Sequence, residues 1–93
     1  MAYVGKYRTY SGRFSFRWSF EKQNNGEIRA YILSAPGYGN RPSGGHSTHR
    51  YEDNAGDCYI CYEPMPTNLQ DAIAIAKEWA ECTEEYILYS QEF

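Results

Sequence analysis

Between Arg13 and Phe20 the chain reads RFSFRWSF, an unbroken alternation of aromatic and polar residues. Phe14, Phe16, Trp18 and Phe20 share one phase; Arg13, Ser15, Arg17 and Ser19 share the other. A period of two is that of a strand, so the spacing predicts one strand with a buried face and a wet face. EKQNNGE follows, and its Asn25-Gly26 pair suits a tight turn. IRAYILSA then returns as a second, antiparallel strand rich in β-branched and aromatic side chains. Upstream, AYVGKYRTY predicts a shorter strand that turns at Gly12.

From about Ala35 to Thr48 the chain is rich in glycine and holds Pro36 and Pro42, which lack backbone donors. A connection of that length is a loop with a binding role or a mobile one. Asp53, Asn54 and Gly56 then supply turn chemistry between THRY and CYICYE, which predicts a further hairpin.

PMPTNLQDAIAIAKEWAECTEEYI carries the helical period. Leu69, Ala72, Ile73, Ala76, Ala80 and Thr83 recur at intervals of three and four, with Trp79 or Ile87 completing the stripe. Thr67 with Gln70 fits a capping box at the start. Glu81, Glu84 and Glu85 oppose the helix dipole and favour an end near Cys82, whereas the stripe argues for continuation to Ile87. Continuation is the expectation. Asp71, Glu78, Glu81 and Glu85 lie mainly off the stripe, where solvation accounts for them.

These elements predict an α+β fold: a three- to four-stranded antiparallel meander whose aromatic face is covered by one C-terminal amphipathic helix. Ninety-three residues make one domain, 1–93, with a small core. An apolar share of 42% with ten tyrosines excludes a disordered chain. Three cysteines are too few for a disulfide scaffold, and no apolar leader follows Met1. No run approaches the ~18 apolar residues of a membrane span. The expected compartment is a reducing cytoplasm, with no membrane partner.

The net charge of -3 conceals a division. Residues 1–50 carry eight Lys or Arg and two acids; residues 51–93 carry one Lys and ten acids. Such a separation steers partners when it survives folding.

The candidate chemistry centres on GGHSTHRYEDNAGDCYIC. His46, His49, Cys58 and Cys61 have two-residue spacings that suit tetrahedral zinc. Against this, a regular strand points Cys58 and Cys61 to opposite faces, and the residues around them do not suggest a knuckle. Small buried cysteines and loop histidines are the plainer account, so no metal or other cofactor is expected. A Cys–His nucleophile needs a lowered thiol pKa and a nearby base, and Cys82 late in an acidic helix has the wrong field. GYGNRPSGG lacks the lysine and following helix of a phosphate loop. Glu52 and Asp53 are explained by their turn. No catalytic residue is assigned, and the expected class is not an enzyme.

Binding is the more coherent expectation. Arg13, Arg17, Arg29 and Tyr31 fall on the polar side of the strands; Arg41, Ser47, Thr48, His49 and Arg50 lie in the loop. Tyrosine and arginine are effective protein-interface anchors, which favours a protein partner for the 36–50 loop and the exposed strand face. The alternative is DNA or RNA, with Arg13, Arg17, Arg29 and Arg50 on phosphates and tyrosine stacking on a base. The acidic second half counts against it.

From RPSGGHSTHR through CYICY and AIAKEWAECT to the final Phe93, the chain resembles a group of small uncharacterised bacterial proteins. That group is associated with integrative and conjugative elements, plasmids or phage of gut Firmicutes. The resemblance covers about half of the chain. It implies an accessory role in a mobile element, involving DNA or a protein of a defence system. It assigns no catalytic residue and points to Ser47, Thr48, His49 and Arg50 as the residues to probe.

Overall fold

The alternating aromatic segment forms β2 (Ser15–Lys22), flanked by β1 (Ala2–Arg8) and β3 (Ile28–Ser34) in a computed structural model that describes residues 2–93. β1 pairs antiparallel with β2 along its whole length, from Ala2 opposite Glu21 to Arg8 opposite Ser15. β2 and β3 pair antiparallel too, with a register shift at Arg17 and Trp18.

The described residues form five strands where three or four were expected. After a one-turn helix, α1 (Gly45–Thr48), come β4 (Arg50–Glu52) and β5 (Cys58–Ile60). The order is β1-β2-β3-β5-β4, so the sheet is not a plain meander. The long connection carries the chain past the neighbour of β3 to the far edge, and β5 returns to fill the gap. These two short strands pair as the hairpin expected between THRY and CYICYE. Two similar turns close the hairpins. Gln23 N–H donates to Glu27 O (2.7 Å) and Asp53 N–H to Asp57 O (3.0 Å), and each loop ends on a glycine with φ near +90°, Gly26 or Gly56. A side chain there would be strained.

The fold class stands as expected: α2 (Leu69–Tyr89) lies across the ring-bearing face. Phe16, Trp18 and Phe20 are at most 3% exposed, and Trp79 meets Phe16 edge-on at 5.7 Å. Ala72, Ala76 and Ala80 are buried against the rings, their small side chains letting the helix approach closely. Phe14 is only half-buried, because it precedes the first paired residue of β2. Ser19, expected on the wet face, is buried, and its hydroxyl donates to Glu21 Oε2.

The start of the helix differs from expectation, whereas its continuation past Cys82 stands as expected. Asn68, not Thr67, is the cap: its Oδ1 accepts the Asp71 N–H at 2.9 Å. At the other end the helix passes Cys82 and Ile87 and stops at Tyr89, where Ser90 turns into the left-handed region. Two of the three acids that oppose the dipole, Glu81 and Glu84, are offset by partners. Tyr7 Oη and the Tyr10 N–H donate to Glu81, and the Thr9 and Ser11 hydroxyls donate to Glu84 at 2.6 and 2.7 Å. Arg41 adds a cation at the C-terminus, donating to the carbonyls of Ile87 and Leu88. No helix among the described residues is long and apolar enough to cross a membrane.

Candidate functional site

With α2 on one side, the sheet keeps its other side open. Strand alternation places Val4, Ser19, Tyr31, Tyr59 and Tyr51 in one row across that side, each opposite the next on successive strands. The three tyrosines are neighbours: ring centroids of Tyr31 and Tyr59 are 5.4 Å apart, and those of Tyr59 and Tyr51 are 5.5 Å apart. Leu33 stands beside them with half its surface exposed.

Arg29 ties this row together. Its guanidinium lies 4.2 Å over the Tyr59 ring, and its Nη1 donates to Tyr31 Oη at 3.0 Å. Tyr31 in turn donates to Asp53 Oδ2 at 3.0 Å. Asp53 Oδ1 accepts the N–H groups of Ala55 and Asp57, both at 2.9 Å, so the β4–β5 turn and the tyrosine row are one connected unit. Backbone donation from Asp57, then the Tyr31 hydroxyl and Ala55, hold the Asp53 carboxyl below its ordinary value, against the opposing pull of desolvation. Hydrogen bonds from Ser11 and Thr9 do the same for Glu84.

The sign of these shifts gives a pH prediction. Folding lowers both values, so their stabilisation is present above the ordinary carboxylate range and disappears as pH falls through the lowered values. The melting temperature should decline below about pH 4, the ordinary carboxylate range. Glu84→Gln should flatten that decline. A melting temperature unchanged down to pH 3, or one whose decline Glu84→Gln leaves intact, would contradict these roles.

Besides Arg29, the four other expected arginines end up in two settings. Arg13 and Arg17 are exposed, and Arg17 pairs across strands with Lys6. Arg41 and Arg50 are committed to the fold. Arg41 caps α2, while Arg50 donates to Thr48 Oγ1 at 2.8 Å and Ser43 O at 2.7 Å, its guanidinium 5.0 Å from the centre of the Tyr38 ring.

The loop expected to recognise a partner stays mostly open to solvent, but several of its groups are engaged within the fold. Thr48 is fully buried, its hydroxyl donates to Gly44 O, and its carbonyl accepts the Trp79 indole N–H at 3.0 Å. Thr48 therefore has no surface to offer a partner. Pro42 O accepts the Tyr86 hydroxyl at 2.6 Å. Ser47 is half-buried, and the His49 ring packs 4.4 Å from that of Phe93. His46 remains exposed.

The four-ligand zinc arrangement is not assembled. No group of three or more His, Cys, Asp or Glu among the described residues is placed to hold a metal ion. His49 is turned by a left-handed backbone (φ 53°) onto Phe93, and the cysteines occupy a strand and its continuation rather than a knuckle. All three cysteines are free thiols, and burial, with nearby Glu78, Glu85 and Glu81, raises that of Cys82.

Tyr51 and Tyr59 were missed as partners of Tyr31. The alternation of Cys58, Tyr59 and Ile60 does place Tyr59 opposite the buried phase. Its alignment with Tyr31 and Tyr51 depends on strand order, which no local pattern encodes. Comparison of the chain with protein-family models, with curated proteins and with solved structures finds no match.

Proposed function

We propose that this domain is a non-catalytic recognition module that holds a protein partner on the open side of its sheet. The observation that carries this reading is the tyrosine row, Tyr31–Tyr59–Tyr51, on the face that the helix leaves uncovered. Its rings are held in place by one another, by Arg29 and by Asp53. Rigid aromatic and arginine side chains lose little entropy on binding and make strong interface anchors. Exposed Leu33 adds apolar contact. In the 36–50 loop, exposed Asn40, Ser43 and His46 supply rim contacts. The accessory role in a mobile element implied by the RPSGGHSTHR resemblance belongs to the same proposal.

A single nucleic-acid strand fits this surface less well. Base stacking needs a free ring face, but Arg29 already covers Tyr59. Glu21, Asp53 and Asp57 line the adjoining hollow with Tyr31 and Leu33, and their charges repel phosphate. One observation favours nucleic acid as a second reading: Lys6, Arg8, Arg13 and Arg17 are all exposed at the β1–β2 side.

Affinity capture from the host that encodes the protein separates the two readings. Tyr59→Ala and Leu33→Asp should each weaken partner retention, with ~30-fold expected for a central tyrosine anchor. Arg13→Ala with Arg17→Ala should leave it unchanged, and a labelled single-stranded oligonucleotide should not shift. Salt-dependent oligonucleotide binding that is lost with the two arginines would establish the second reading instead. Thermal melts of each variant check that the fold persists.

A further inference from the structure

We infer that the free edge of β1 is a strand-addition site for an extended acidic segment of a partner protein. The site deepens the recognition-module reading with a second surface, distinct from the tyrosine row. Two edges bound the sheet, and they are unlike. β4 is three residues long, a common protection for an edge. β1 is seven residues long, contains no proline, and keeps one register with β2 throughout. Among the described residues nothing pairs with its outer side. Its row of backbone donors and acceptors is thus a template for another strand.

The side chains of β1 define what that strand must carry. Lys6 and Arg8 are exposed on the open side of the sheet, and with Arg17 and Ser15 they line one surface depression. The helix acids nearest to this hairpin, Glu81 and Glu84, are engaged by Tyr7, Tyr10, Thr9 and Ser11. On the helix side β1 presents Tyr3, half-exposed, and Tyr7. Gly5 lies between them, where an added Cβ would come within 3.1 Å of the Phe20 ring. Glycine there lets the strand lie close over the core without a bulge.

A complementary strand therefore alternates acidic residues, beside Lys6 and Arg8, with apolar residues, beside Tyr3 and Tyr7. A second copy of this chain does not meet that need. Antiparallel pairing of two β1 strands centred on Gly5 would set Val4 against Lys6 and Ala2 against Arg8. It would gather Lys6, Arg8 and Arg17 from both copies along one sheet, six cations against one Glu21 from each copy. Like charges so placed repel. The cations that deter self-pairing select an anionic strand.

The test uses the full chain, isotope-labelled for amide NMR, with four probes. They are a capped peptide alternating Glu with Val and Thr, its lysine counterpart, the acidic peptide N-methylated at alternate residues, and a single-stranded oligonucleotide. The acidic peptide should shift the amides of residues 2–8 and slow their hydrogen exchange. Lys6→Glu with Arg8→Glu should weaken it about tenfold and transfer preference to the lysine peptide. Tyr59→Ala should leave this binding unchanged, which separates failure of the edge site from failure of the tyrosine surface. Equal binding of the N-methylated peptide or the oligonucleotide would overturn the proposal in favour of general anion attraction. Shifts centred outside β1, no acidic-peptide binding at low salt, or dimers of the free protein through β1 would overturn it as well.

Discussion

Trp18→Ala should destabilise the protein by about 3–5 kcal/mol, the range for removing a large ring from a packed core. Trp18 is 1% exposed at the centre of the aromatic strand, stacked near Phe16 at 5.9 Å and meeting Phe20 at 6.0 Å. Its neighbours on both sides are rings and a helix, so the cavity cannot collapse without moving α2. A loss of that size removes much of the ~5–15 kcal/mol that keeps a small domain folded. The neighbouring Arg17 supplies the control. It points to the opposite, open side, so Arg17→Ala should change stability by no more than about 0.5 kcal/mol. Urea unfolding followed by circular dichroism measures both. Similar losses for the two variants would contradict the assignment of faces.

Trp79→Ala should cost a comparable ~3–5 kcal/mol, but with a consequence that Trp18→Ala lacks. Trp79 is the point where the helix holds the long connection, because its indole N–H donates to the carbonyl of buried Thr48. Trp79→Phe isolates that bond: it keeps a ring against Phe16 and removes the donor. The orphaned carbonyl should cost about 1–3 kcal/mol. Hydrogen exchange should then accelerate at the Thr48 amide, which donates to Gly44 O within α1. Unchanged exchange across residues 44–50 would show that the connection is held by its other contacts, such as Tyr86 to Pro42 and Arg41 to the helix end.

The parts legible in the sequence were those fixed by local period. Phe16, Trp18 and Phe20 announce their face because a strand has no other way to place every second residue. The stripe from Leu69 to Ile87 likewise identifies the helix and its covering role. What each cation meets is not local. Arg41 and Arg50 look like loop arginines ready for a partner until α2 reaches Tyr89 and offers its carbonyls, and until Thr48 folds under Arg50. The cap was missed by one residue because Thr67 and Asn68 both have capping side chains. Only the Asp71 N–H, three residues beyond Asn68, distinguishes them. The row Tyr31–Tyr59–Tyr51 depends on β5 entering between β3 and β4, an outcome of topology rather than spacing. The charge division of the chain survives in part. Exposed Lys6, Arg8, Arg13 and Arg17 lie at the β1–β2 side, whereas most acids belong to α2 and the turns of the second half.

The most direct test of the central claim is tyrosine-directed covalent labelling, read by mass spectrometry on the protein alone and bound to its captured partner. The account predicts that Tyr31, Tyr59 and Tyr51 lose reactivity in the complex while Tyr10 and Tyr89, 93% and 70% exposed, stay labelled. Protection of Tyr10 or Tyr89 with the row unchanged would place the partner elsewhere and contradict the account.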